Sequence, residues 1–135
     1  MENTFHAEIL TPDGKVFEGE VIGAQVPGSD GSFEMKFNHA PITSMLEIGQ
    51  VRLQTSDGTP LYFAVSGGFV EMSDNRMSVL SEACEKAEEI DVERAERAKE
   101  RAVEELMKRK EKPKELQLAL KRAENRLEVY KRNGA

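Results

Sequence analysis

The sequence changes composition abruptly near residue 86, and this change limits the chain to two parts with different structures. Residues 1–85 contain nine of the ten glycines, four of the five prolines and only four basic residues. Residues 86–135 contain fifteen lysines and arginines and almost no glycine or proline. Glycine and proline interrupt long helices, whereas alanine, leucine, glutamate, lysine and arginine favour them. We therefore predict two domains, a β domain over residues 1–86 and an α-helical domain over residues 87–135.

The first part has the pattern of short strands separated by turns. Apolar and polar residues alternate in segments 32–37 and 50–55, which indicates strands with one buried face. Turn sequences such as Thr11-Pro12-Asp13-Gly14 and Ser56-Asp57-Gly58 lie between the apolar runs. The predicted strands cover residues 5–10, 20–26, 32–37, 50–55, 61–65, 68–72 and 76–80. Their regular recurrence predicts an antiparallel β-sandwich.

The second part has the pattern of two amphipathic helices. Asp91 is a suitable N-cap for a helix that begins at Val92, and Pro113 fits the first position of the second helix. Apolar residues recur at intervals of three and four in both segments. They are Ala95, Ala98, Ala102 and Leu106 in the first helix, and Leu116, Ala119, Leu120, Ala123, Leu127 and Tyr130 in the second. These stripes predict a C-terminal antiparallel two-helix hairpin that is weakly held and able to open, because alanine buries little area.

The charge is distributed unequally along the chain. Residues 1–85 carry 4 basic and 13 acidic groups, a net charge of −9, and residues 86–135 carry 15 and 12, a net charge of +3. The basic C-terminal segment favours an acidic partner. An acidic β domain without tryptophan gives no support for nucleic-acid binding.

Chemically reactive residues are few in this sequence. One cysteine, Cys84, excludes an intramolecular disulfide, and His6 and His39 are too far apart in the sequence to indicate a metal site. No catalytic triad, carboxylate pair or phosphate-binding glycine loop is present, so we predict no catalytic residues and no metal. No apolar run reaches the length of a membrane span and no signal peptide pattern is seen, so any membrane association would be indirect.

Several motifs occur in an ordered series over most of the chain. They are Pro27-Gly28-x-x-Gly31, Asn38-His39-Ala40-Pro41-Ile42, Leu46-Glu47-Ile48-Gly49, Phe63-Ala64-Val65-Ser66-Gly67-Gly68-Phe69-Val70-Glu71 and Ala87-Glu88-Glu89-Ile90-Asp91-x-x-Arg94-Ala95. In this order and spacing they resemble the epsilon subunit family of the F-type ATP synthase, whose organellar counterpart is called delta. The sequence departs from the family pattern at Glu34-Met35-Lys36-Phe37, where members often carry a glycine, two aliphatic residues and a proline.

The resemblance implies a non-catalytic rotor subunit of the central stalk of a proton-translocating ATP synthase. The β domain would dock on the gamma subunit and the c-ring, with His39 and Pro41 as docking residues. The hairpin would restrain ATP hydrolysis, and its basic second helix would meet the catalytic alpha/beta subunits. The chain would then lie at the cytoplasmic face of the bacterial plasma membrane, held there peripherally by the synthase complex.

The resemblance also implies a nucleotide site, with ATP as a regulatory ligand and no cofactor required. The positions that match nucleotide-binding members are Glu85, Ile90, Asp91, Arg94, Ala95, Arg101, Arg122 and Arg126. Arg94 and Arg101 are seven residues apart and Arg122 and Arg126 four apart, so each pair shares a helix face. Ordinary surface ion pairs are the alternative explanation for these arginines. The alternative function is a free-standing ATP-binding sensor, which would bind ATP but not gamma.

Overall fold

The computed structural model describes residues 3–134, and the chain divides into two compact units, residues 1–86 and 87–135. The first, here called the β unit, contains seven strands. They are β1 (Phe5–Thr11), β2 (Gly14–Gly28), β3 (Gly31–Met35), β4 (Ile42–Thr55), β5 (Pro60–Ser73), β6 (Arg76–Leu80) and β7 (Cys84–Lys86). The second, the helical unit, contains a short 3-10 helix (Ala87–Glu89) and two α-helices, α1 (Val92–Met107) and α2 (Lys114–Asn133).

The strands of the β unit form one sheet that closes on itself. Its order is β1-β6-β5-β4-β2-β3, and β1 also pairs with β2, while β7 pairs with β5. The pairing of β1 with β6 is parallel and all the other pairings are antiparallel. The predicted β domain is confirmed as a barrel-like sandwich, although the sequence pattern did not predict the parallel pair.

Alternate residues of the strands fill the interior of the β unit. Phe5, Ala7 and Ile9 of β1 are buried, as are Val51 and Leu53 of β4. This matches the period of two expected for a strand with one buried face. All of the largest fully buried side chains lie in this unit, so the hydrophobic stabilisation of the chain is concentrated here.

Three details of the predicted strands are wrong. The two strands predicted at 61–65 and 68–72 are one strand, β5, which passes through Gly67 and Gly68 with positive φ angles of 89° and 117° instead of turning there. β3 ends at Met35, so Phe37 lies outside it and is exposed rather than aligned with Phe33. The short strand β7 was not predicted, because three residues are too few to show a period.

The helical unit is a hairpin whose two α-helices pack against each other through a short connector. The Asp91 side chain accepts a hydrogen bond from the backbone N–H of Arg94 at 3.0 Å, which confirms the predicted N-cap. Ala95, Ala102 and Ala123 of the predicted stripes are buried. Val129 is buried as well, although the predicted stripe did not include it. No described helix is long and apolar enough to cross a membrane.

The second helix starts one residue later than predicted. Pro113 is its N-cap, with φ −55° and ψ 136°, and Lys114 is the first helical residue. The extended ψ angle explains the difference, because it places the proline outside the helix. No side chain caps this end, whereas α1 has the Asp91 cap.

Replacing Gly68 with alanine tests the close approach of β5 to β6. A Cβ atom at Gly68 would lie 1.9 Å from the carbonyl oxygen of Leu80, so the strands would have to separate. We expect Gly68→Ala to lower the free energy of unfolding by about 3 kcal/mol or more, measured by urea denaturation. Gly14→Ala is the matched control, because Gly14 has a similar φ of 123° but open space around it. It should cost only about 1 kcal/mol of backbone strain, and equal losses in the two variants would contradict the explanation.

Candidate functional site

A row of apolar side chains crosses the outer surface of the β unit. Met45 pairs with Phe69, Phe69 pairs with Leu80, and Leu80 pairs with Leu10, so the row spans four neighbouring strands. Met45 is 63% exposed, Phe69 39% and Leu80 38%. Large apolar residues gathered in this way on a surface are typical of protein–protein contacts. We call these four residues the apolar row.

A groove of about 430 Å³ lies along the apolar row. It is lined by Leu10, Thr11, Pro12, Gly68, Phe69, Leu80, Ser81 and Glu82. The lining is mostly apolar, with Glu82 as the charged group. Such a surface can hold an apolar side chain of another protein but offers no arrangement for acid–base or nucleophilic chemistry.

The loop that contains His39 and Pro41 is fixed by hydrogen bonds to the turn between β5 and β6. Asn75 accepts a hydrogen bond from the backbone N–H of Asn38 at 2.6 Å, and its amide donates to the Asn38 side chain at 2.9 Å. The His39 backbone N–H donates to the Lys36 carbonyl oxygen at 3.1 Å, and its ring Nδ1 lies 2.7 Å from the Ala40 oxygen. Pro41 is exposed. The loop therefore presents a defined surface, whether or not a partner uses it.

The four arginines predicted to contact phosphate lie at two levels of the hairpin. Arg101 is seven residues before Lys108 and Arg122 is eight after Lys114, which places them about 10 and 12 Å from the connector along the helix axes. Arg94 and Arg126 are about 21 and 18 Å from it by the same rise per residue. In an antiparallel hairpin each arginine of α1 thus has one of α2 at a similar height.

Some arginines of the helical unit form ion pairs with glutamates, and the arginines predicted to contact phosphate differ from them in this respect. Arg97, Arg109 and Arg132 each lie within 4.0 Å of a glutamate four residues earlier. Within residues 3–134, no such pair to a carboxylate is found for Arg94, Arg101 or Arg122. Arg126 does interact with another group. The ordinary surface pairing that was the alternative explanation is therefore seen on other arginines of these helices.

The remaining predicted nucleotide contacts are less accessible. Ile90 and Ala95 are 5% and 2% exposed, so in this conformation their side chains are not available to a ligand. Glu85 lies in β7 of the β unit, opposite Ala64. Asp91 is exposed, but its carboxylate already caps α1.

The connector between α1 and α2 concentrates positive charge at one end of the hairpin. Lys108, Arg109, Lys110 and Lys112 are all exposed. The Lys112 ammonium donates to the carbonyl oxygens of Leu106 at 2.5 Å and Arg109 at 3.2 Å. This lysine donates to backbone oxygens at and just beyond the end of α1, where a positive charge is favoured by the helix dipole.

Comparison with known protein families identifies both units. A model of the ATP synthase delta/epsilon chain beta-sandwich domain matches residues 4–87. A model of the ATP synthase delta/epsilon chain long alpha-helix domain matches residues 88–131. The chain belongs to the ATP synthase delta/epsilon family. It is therefore an epsilon-type chain, as the resemblance implied.

Relatives and solved structures agree with this family assignment. The epsilon chain of Shouchella clausii is 39% identical over 132 residues, covering 98% of both chains. That of Halalkalibacterium halodurans is 42% identical over 130 residues, covering 93% of this chain and 96% of the relative. A chain of the Euglena gracilis mitochondrial ATP synthase superposes with a TM-score of 0.70 at 18% identity, over 96% of this chain and 78% of its own. At that identity the likeness shows the fold alone.

Sequence reasoning missed the apolar row, although a signal was present. Val70 and Met72 are buried residues of β5, so the period of two puts Phe69 on the outer face. Met77 and Val79 put Leu80 outside in the same way. An apolar residue at an outward position is the signal, but only the strand pairing shows that the outward residues are neighbours.

Cys84 provides a test of the local environment at the end of the β unit. Burial, with a smaller effect of the Glu85 charge, raises the pKa of the Cys84 thiol to about 12. At pH 8 only about 1 in 10,000 molecules then carries Cys84 as the reactive thiolate. We expect Cys84 to react with Ellman's reagent at least about 100-fold more slowly in the native protein than in guanidinium, where the thiol is solvated. Similar rates in the two conditions would contradict the burial.

Proposed function

We propose that this delta/epsilon chain acts as a rotor subunit whose β unit docks on the gamma subunit and the c-ring of the synthase. The observation that carries the proposal is the apolar row, which is too extensive to be explained as scattered surface residues. In this proposal the apolar row binds gamma, and the loop of His39 and Pro41 binds the c-ring. The subunit then lies at the cytoplasmic face of the bacterial plasma membrane through the complex.

The helical unit is proposed to act as the regulator of ATP hydrolysis. Its fully buried side chains in the two α-helices are small, namely Ala95, Ala102, Ala123 and Val129, and its leucines are only partly buried, so the hairpin lacks a large buried core. A weakly held element of this kind can exchange between two arrangements at low cost. Its positive connector is suited to acidic surface on the catalytic alpha/beta subunits.

ATP is proposed as the ligand that favours the closed hairpin. Guanidinium groups bind phosphate in a bidentate manner, and Arg94, Arg101 and Arg122 are not engaged by carboxylates within the described residues. A ligand that binds both helices stabilises the arrangement in which they are together. The chain would then release its inhibition when ATP is abundant. A free-standing ATP sensor remains the second candidate, and the absence of gamma binding would favour it.

Substitution of Phe69 tests docking on gamma. Phe69→Glu places a charge in the middle of the apolar row and should weaken binding to purified gamma by about 30-fold or more, measured by calorimetry with the full chain. Phe37→Glu is the control, because Phe37 is similarly exposed but lies next to the loop assigned to the c-ring. It should leave gamma binding unchanged. Equal effects of the two variants would contradict the assignment of gamma to the apolar row.

Substitution of Arg94 tests the nucleotide site. Arg94→Ala should weaken ATP binding by about 10- to 100-fold in a calorimetric titration, because a charged hydrogen-bonding partner of phosphate is lost. Arg97→Ala is the matched control on the same helix, since Arg97 pairs with Glu93. Loss of binding in both variants would indicate a general charge effect. No binding of ATP up to millimolar concentration by the unsubstituted chain would overturn the nucleotide proposal and leave the docking proposal standing.

A further inference from the structure

Four ionisable side chains gather on the outer face of the β1–β2 ladder. His6 lies opposite Glu20 and Glu8 lies opposite Glu18 in the antiparallel register. Residues two apart on a strand, and residues paired across two strands, project from the same face. Cysteine and histidine are distant from each other in the sequence and indicated no metal site. The fold instead surrounds one histidine with carboxylates.

The distances within this group are short enough for a single cation. One ligand atom each from His6, Glu8 and Glu18 lies within 4.8 Å of the others. The His6 Nε2 atom is 2.9 Å from Glu18 Oε2. A point at the centre of such a triangle is within about 2.8 Å of all three atoms, and zinc bonds to nitrogen and oxygen are about 2.0–2.2 Å long. Small side-chain rotations would bring the three ligand atoms from this distance to the length of zinc bonds.

Hydrogen bonds around the group orient two of these ligands. The Glu20 Oε2 atom is 3.3 Å from His6 Nδ1, and the Thr4 hydroxyl donates to Glu20 Oε1 at 2.9 Å. When Nδ1 carries the ring proton and donates a hydrogen bond to Glu20, Nε2 keeps its lone pair for a metal, as in carboxylate–histidine–zinc arrangements. The Ser78 hydroxyl of β6 likewise donates to Glu8 at 3.1 Å. Both hydrogen bonds come from residues that are not themselves ligands.

The charges of the group favour a cation. Glu8, Glu18 and Glu20 lie near the Lys15 ammonium, whose Nζ is 2.6 Å from Glu18 and 4.0 Å from Glu8, and Arg76 of β6 pairs with His6 on the other side. Glu18 is the carboxylate closest to both groups, at 2.6 Å from the Lys15 ammonium and 2.9 Å from the His6 ring. Three carboxylates against the two cationic side chains, Lys15 and Arg76, leave the group net negative. The negative charge that holds the Lys15 ammonium would therefore also attract a metal cation.

We propose that His6, Glu8 and Glu18 form a binding site for a divalent transition-metal ion, with zinc as the best fit, and that the ion displaces the Lys15 ammonium. One imidazole nitrogen and two carboxylate oxygens suit zinc, whereas calcium and magnesium prefer oxygen ligands alone. Three protein ligands leave a fourth position for water. Glu20 orients His6 and is not itself a ligand. The ion links β1 to β2 on the outside of the ladder.

Titration of the full chain with zinc chloride tests the site. We expect one zinc ion per chain by calorimetry, with a loss of affinity of at least about 10-fold in His6→Gln. His39→Gln is the matched control and should bind zinc as the unsubstituted chain does. Cobalt(II) should give the intense visible absorption of a four-coordinate site in the unsubstituted chain and in His39→Gln, but not in His6→Gln.

Lys15→Gln gives a test that does not depend on removing a ligand. Because the competing ammonium is lost, zinc should bind more tightly than to the unsubstituted chain, and urea denaturation checks that the exposed substitution leaves the fold intact. Failure of the unsubstituted chain to bind zinc overturns the proposal. Equal zinc affinity in His6→Gln and His39→Gln, or weaker binding in Lys15→Gln, would do so as well. None of these outcomes depends on docking to gamma or on ATP.

Discussion

The pairing of β1 with two other strands is the interaction on which the β unit depends. β1 joins β2 on one side and β6 on the other, so the sheet closes. Closure removes two unpaired edges and directs Phe5, Ala7 and Ile9 into the interior. A closed sheet cannot shift its register without breaking several ladders together, so side chains on its outer face keep fixed spacings. The apolar row and the cluster of charged side chains around His6 both depend on these fixed spacings.

The two units suit different mechanical needs of the proposed rotor and regulator. A part that transmits torque must not deform, and the large buried side chains and closed sheet of the β unit give it that property. A part that changes arrangement must have two states of similar free energy. The proposed switching of the helical unit is consistent with its small fully buried side chains and with the absence of a side-chain cap at the start of α2.

The sequence predicted the features that depend on local patterns. Alternation placed Val51 and Leu53 in the core, and the Asp91 cap located the start of α1. The sequence could not predict features that depend on which residues pair between strands. Gly67 and Gly68 look like a turn locally, but the partner strands carry β5 through them. His6 and Glu18 are twelve residues apart in the sequence and become neighbours only when β1 and β2 pair. The nucleotide residues came from resemblance, and no contact among the described residues tests them.

The small side chains inside the hairpin have a thermodynamic consequence. The heat capacity change of unfolding and the slope of stability with denaturant both scale with the surface that unfolding exposes. The side chains that contribute most to this surface, from Phe5 to Met77, are in the β unit. Opening of the hairpin would therefore change the heat capacity by much less than unfolding of the β unit. A transition that exposes less surface also has a smaller enthalpy change, so the proposed switch would respond to temperature less steeply than unfolding of the β unit does.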